Sequence, residues 1–117
     1  MRLPKDYKAF LSISNGLEDF IGDAYFRLYR VEELQQVNLD YNTQESAPGL
    51  FMIGSNGGGE TYSYNTNKHM KLYLVPFIVY IHEDALYIAQ NFLHLLRRCI
   101  NREDLFETKY WLPKNHH

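Results

Sequence analysis

The chain has one cysteine, Cys99, so no internal disulfide can staple the fold, and a thiolate zinc cluster has no second sulfur to draw on. It lacks any apolar run of about twenty residues, the length a membrane-spanning helix requires. The opening Met1-Arg2-Leu3-Pro4-Lys5-Asp6 has none of the apolar character of a secretory leader. A lone thiol without an export signal leads to the expectation of a reducing, cytoplasmic setting. Neither sign of charge dominates: 12 Lys and Arg stand against 14 Asp and Glu, for a net charge of −2. No global basic field exists to attract nucleic acid, and the negative excess is too small for a phosphate mimic. Internal repeats and low-complexity segments are also missing.

Signatures of catalysis are equally scarce. There is no Gly-x-Ser-x-Gly elbow. His69, His82 and His94 do not fall at metal-ligand spacing. The acids come as neighbours (Glu18-Asp19, Glu32-Glu33, Glu83-Asp84, Glu103-Asp104), and neighbours point to different faces of a strand or helix, so adjacency makes no catalytic dyad. Cys99 falls in an apolar helical stripe, the position of a small buried hydrophobe rather than a nucleophile. Lys68, Lys71, Arg97, Arg98 and Arg102 form no dense basic stripe with aromatics. The expectation is a protein that is not an enzyme, with no metal and no cofactor.

What is present is a single domain's worth of chain, 117 residues, with a core over about 3–100 and a tail over 101–117. Ten of its residues are tyrosine, a side chain that suits half-buried sheet faces and contact surfaces alike. The organising stretch runs from Leu50 to Tyr64. Leu50-Phe51-Met52-Ile53 is an apolar run of strand length. Ser55-Asn56-Gly57-Gly58-Gly59 supplies the positive φ values of a tight turn. Glu60, Thr61 and Ser63 then alternate with Tyr62 and Tyr64, the period of a second strand. Gly54 to Thr61 also has the spacing of a phosphate-cradling loop, but Glu60 stands where a lysine belongs, and the residues after it alternate like a strand instead of opening a helix.

Around this hairpin the expected order is a helix over Leu3–Ser14 stopped at Asn15-Gly16, an extended segment from Leu17, a turn at Gly22-Asp23, and a strand Ala24–Tyr29. Phe26 and Leu28 share that strand's core face; Tyr25, Arg27 and Tyr29 share the other. A second helix follows over Val31–Tyr41, with Val31, Leu34, Asn38 and Tyr41 down one side, and then a loop over Asn42–Gly49. Past the hairpin come a strand Met70–Val75 placed at an edge or bent by Pro76, a last central strand Phe77–Ile81, and a helix capped by Asp84 and running to about Cys99. The short connections favour antiparallel pairing. The fold class expected is α+β: one domain, a twisted, mainly antiparallel sheet with helices packed on one face.

Several stretches, in this order, resemble the SUKH superfamily, the Smi/Knr group. Leu3-Pro4-Lys5-Asp6-Tyr7-Lys8-Ala9-Phe10-Leu11 with Asn15-Gly16 resembles its opening motif. Arg27-Leu28-Tyr29 with Glu32-Glu33-Leu34, then Gly49 to Glu60, resemble its next two segments. Val75-Pro76-Phe77 and Ala89 to Leu96 resemble its "vPf" strand and closing helix. The family usually carries one further helix before the Leu-Pro motif, so either a short member or a start site called late is expected. The resemblance implies a non-catalytic binding domain: in bacterial members an immunity protein that neutralises a cognate toxin, often a nuclease; in fungal members a scaffold. The partner expected is thus a protein, a toxin domain, with the chain itself a monomer or weak homodimer and no membrane or direct nucleic-acid contact. Expected contact residues are Glu18, Asp19, the turn Asn56, Gly57, Gly58, Gly59 and Glu60, and Tyr62 and Tyr64 as exposed anchors. The alternatives are an adaptor of the same fold without a toxin partner, and a small-ligand binder using the glycine loop.

Overall fold

The computed structural model describes residues 2–107; the tail residues Trp111 and Leu112, expected to pack back on the domain, lie outside them. Six strands form one open antiparallel sheet in sequential order. They are β1 (Leu17–Ile21), β2 (Ala24–Leu28), β3 (Leu50–Ser55), β4 (Glu60–Asn65), β5 (Lys71–Pro76) and β6 (Leu86–Ala89). Four helices accompany them among the described residues: α1 (Lys5–Ile13), α2 (Leu34–Asp40), the single turn α3 (Thr43–Ser46) and α4 (Phe92–Ile100). Each strand follows its neighbour through a short turn or loop, except that α2 and α3 lie between β2 and β3.

The main core lies between the sheet and the pair α1 and α4. Alternation along the strands sends Phe26, Leu28, Ile53, Tyr62, Tyr64, Leu72, Leu74 and Ile88 to this side, where they meet Tyr7, Leu11, Phe92, Leu95 and Cys99. Phe26 and Tyr62 stack with ring centroids 4.4 Å apart. A smaller cluster occupies the other side: Leu50, Met52 and Val75 from the strands, Ala47 after α3, and Tyr80. Because both faces of β4 are covered, Thr61 and Ser63 are fully buried too. Their hydroxyls form a chain with Tyr80 Oη, with links of 2.8 Å, which satisfies all three polar atoms.

The sheet is not zipped evenly. β2 pairs with β3 at Arg27–Ser55 and Leu28–Gly54, Tyr29 N–H adds one bond to the Ile53 carbonyl at 3.0 Å, and the chain then departs. Its place beside β3 is taken by two side chains. Asn38 of α2 accepts from the Met52 N–H at 2.8 Å and donates to the Met52 carbonyl at 2.9 Å, as a strand residue would. Gln44 of α3 donates to the Leu50 carbonyl and accepts from Gly49 N–H. Sheet edges left bare invite wrong pairing, and here two amides close one.

Four expectations are corrected. The helix expected from Asp84 starts only at Phe92, capped by Asn91, whose Oδ1 accepts the His94 N–H at 2.7 Å; Asp84 ends a 3-10 turn, His82–Asp84. Leu86–Ala89, expected as part of that helix, pairs with β5 as a strand instead, so tertiary pairing overrode the local stripe. Phe77–Ile81 is a loop, not a central strand: Pro76 ends the ladder, and Ile78 stands 95% exposed. Of the two readings for β5, an edge position or a bend at Pro76, the edge position is overturned. The strand lies between β4 and β6, and Pro76 escapes conflict because pairing with β6 ends at Leu74–Leu86. Finally, Val31–Glu33 is a 3-10 turn before α2, and of the expected apolar side only Leu34 and Asn38 are buried.

Candidate protein-binding surface

Residues 55–60 form the β-hairpin turn between β3 and β4, with Gly57 at φ +75 and Gly59 at φ +102. The turn satisfies its own polar groups. Asn56 N–H donates to the Glu60 carbonyl at 3.0 Å. The Asn56 Oδ1 accepts from Gly58 N–H at 2.8 Å and Glu60 N–H at 3.2 Å, and its amide nitrogen donates to Glu60 Oε1 at 2.8 Å. Gly57 N–H reaches Ser55 Oγ. A phosphate cradle needs such N–H groups free and converging on one point; in this turn those of Gly57, Gly58 and Glu60 are spent on the Ser55 and Asn56 side chains and that of Asn56 on a carbonyl, so its chemistry is that of a polar tip.

Glu18 meets this turn through Tyr25. The Tyr25 hydroxyl donates to Glu18 Oε2 at 2.8 Å, and that bond, with the carboxylate's charge, raises the phenol's pKa. A Cβ on Gly57 would stand 2.9 Å from the Tyr25 ring, so the glycine lets the turn lie on it. Phe20, opposite Tyr25 in the β1–β2 register, adds an edge contact at 5.2 Å. Glu18, Phe20, Tyr25 and Arg27 therefore share an open face at one end of the sheet, beside the glycine turn. Asp19 pairs with Phe26 and so faces the other side, its carboxylate accepting from Phe20 N–H.

Tyr62 and Tyr64 are not exposed anchors. Both are fully buried in the main core, and burial drives their pKa values up. Tyr62 donates to the Tyr25 carbonyl at 2.9 Å, supporting the surface from beneath. The tyrosine that does face outward, Tyr25, was legible in the alternation Tyr25-Arg27-Tyr29 opposite Phe26 and Leu28. The exposure of Ile78 had no such signal.

Pockets lie elsewhere. A groove of about 570 Å³ lined by Gln35, Leu39, Gln44, Phe51 and Thr66 sits at the far end of the β3–β4 hairpin from the turn. A smaller one of about 290 Å³ touches the turn only at Asn56. No group of three or more His, Cys, Asp or Glu among the described residues is arranged to hold a metal, and no described helix is long and apolar enough to cross a membrane. Burial pushes the Cys99 thiol up to about 12, as expected for an inert core sulfur.

The sequence pattern of the SMI1/KNR4 family (SUKH-1) matches residues 1–98, from α1 through nearly all of α4. The chain belongs to the SMI1/KNR4 family. No curated protein matches it. In this SUKH domain the matched span holds the whole sheet and both helices of the main core. Beyond it, the segment 101–107 is pinned by Arg98, which is buried and spans the Ile88 carbonyl at 2.6 Å, Glu103 Oε1 at 2.9 Å and the Asp104 carbonyl at 3.0 Å.

Proposed function

We propose that this SUKH domain is a non-catalytic binding module, an immunity protein that neutralises a cognate bacterial toxin in the cytoplasm. Membership of a family of immunity-type proteins supports the reading. The observation that carries it is the glycine turn: a hairpin tip whose backbone donors are taken by Ser55 and Asn56 offers shape to a partner instead of a cradle to an anion. The contact end comprises Glu18 and Asn56 to Glu60, with Tyr25 between them as the aromatic anchor; Asp19 extends the acidic edge. Tyrosine loses little rotamer freedom on binding, which favours it at contact surfaces. Neutralisation is steric: a rigid sheet end occludes the toxin's active cleft.

Co-expression with the toxin domain encoded beside its gene tests this. Growth rescue by the chain, lost in a Tyr25→Ala, Glu18→Arg double variant that still folds, is the expected result. Survival no better than with an empty vector would refute it.

A further inference from the structure

The most exposed large apolar side chain among the described residues is Ile78. It stands on the loop that follows β5, with Val79 beside it half in solvent. This loop is held at both shoulders. Phe77 N–H donates to the Gly59 carbonyl at 3.0 Å, and the Phe77 ring lies 5.4 Å from that of Tyr41 at the end of α2. Two residues past Ile78, Tyr80 is buried and bonded to Ser63. Further along, the His82 ring contacts the Pro48 carbonyl at 2.6 Å. An apolar tip fixed between the half-buried Phe77 and the buried Tyr80 has already lost the loop entropy that binding would otherwise cost.

The charge around the tip has one sign. The chain has no lysine or arginine between Arg30 and Lys68, and none between Lys71 and Arg97. Those two stretches build α2, α3, the glycine turn and the loop; Val37 of α2, Ala47 after α3, and Phe77 and Tyr80 of the loop belong to or pack against the smaller core. The acids there include Asp40 next to Tyr41, Glu60 opposite Pro76, and Glu83 and Asp84, both exposed. Lys5, Lys8, Arg97 and Arg98 belong to α1 and α4, across the sheet. Arg27 and Arg30 bound the acidic region on the β2 side.

We propose that Phe77–Ile81 is a preformed docking knob whose occupant is a protein pocket, apolar at its floor and ringed by lysine and arginine. This rests on the immunity reading and names the partner's chemistry. Ile78 fills the floor, Val79 and Tyr41 widen the dry contact, and the acids steer the approach.

The probes are three synthetic hexapeptides titrated into the full, isotope-labelled chain and followed by amide shifts: Lys-Arg-Leu-Leu-Arg-Lys, Lys-Arg-Ser-Ser-Arg-Lys and Glu-Asp-Leu-Leu-Asp-Glu. The cationic leucine peptide shifts the amides of Tyr41 and 77–83, binds about tenfold more tightly than its serine counterpart, and weakens steeply with salt. The acidic peptide leaves those amides in place. Ile78→Ser, whose side chain is in solvent and whose melting temperature stays unchanged, abolishes the difference between the two cationic peptides. Shifts confined to α1 and α4, no shifts at all, or an unchanged tenfold preference in Ile78→Ser would each overturn the knob. Growth rescue kept by Ile78→Ser alongside such a result would remove the knob and leave the immunity reading standing. Peptide binding at the loop without rescue would do the reverse.

Discussion

Replacing Asn38 by alanine removes the side chain that stands in for a missing strand. Its amide makes four hydrogen bonds: to the Leu34 and Met52 carbonyls at 2.9 Å each, from Met52 N–H at 2.8 Å, and from Thr43 Oγ1 at 2.9 Å. After truncation Leu34 keeps its helical partner, and Thr43 keeps a longer contact to the Asn38 carbonyl. Met52 keeps nothing on that side, and it is fully buried. Two orphaned backbone groups at about 1–3 kcal/mol each put the loss near 2–6 kcal/mol. That is a large share of the roughly 5–15 kcal/mol a domain has. Urea denaturation measures it, and amide exchange at Met52 locates it, since that proton should lose protection ahead of the β4 amides. Asn38→Asp sharpens the test. An ionised carboxylate would face the Leu34 and Met52 carbonyls, so its folded pKa is raised. A raised folded pKa means stability present at low pH and lost as pH climbs past the unfolded value; this variant should therefore be weaker at pH 8 than at pH 5. A loss under about 1 kcal/mol for Asn38→Ala, with Met52 protection unchanged, would refute the idea that one amide closes the sheet.

Gly22 and Gly59 both have positive φ, yet alanine should separate them. At Gly22 the new Cβ would sit 1.9 Å from the Cys99 carbonyl oxygen, whereas at Gly59 nothing lies within 4 Å. Thermal melts should show Gly59→Ala losing about 1–2 kcal/mol from backbone strain alone, and Gly22→Ala losing clearly more, because α4 must move away from the β1–β2 turn. Tyr7 and Tyr64 hydroxyls are buried without a hydrogen-bond partner among the described residues. Tyr7→Phe should be neutral or stabilising in urea melts; a loss above about 1 kcal/mol would mean the hydroxyl has a partner after all. His94 has its pKa lowered by burial and by Arg98 and Arg97, and its Nδ1 accepts the Gln90 N–H at 2.9 Å. The unfolded chain therefore binds the proton first as pH falls, so stability should drop on going from pH 7.5 to pH 5, and His94→Gln should flatten that slope.

How far the sequence carried can be traced residue by residue. Glycines and alternation placed β3, β4 and the turn between them, because positive φ and a two-residue period are properties of the local chain. Gly22-Asp23 and the face division of Ala24 to Tyr29 were legible for the same reason. The stretch 77–91 was not. Pro-Phe-Ile-Val-Tyr-Ile has the composition of a central strand, and Ala85 to Ala89 continues a helical stripe without a break. Among the contact residues, Glu18 and the turn were brought together, while Tyr62 and Tyr64 went into the core. A tyrosine's composition does not say which side of its strand will be covered.

By itself the sequence determined the elements whose geometry is short-range: the first helix, the hairpins, the α+β class, and the SMI1/KNR4 motifs along the chain. Only the tertiary structure decided which faces were covered. Once the loop after Pro76 crossed β4 with Tyr80 bonded to Ser63, and α1 and α4 closed the other side, β4 became the centre of two cores. Ile78 was left in water because its neighbours' rings and hydroxyls had partners waiting and it had none. Burial is a property of the assembled surfaces, and no single stretch of chain contains that information.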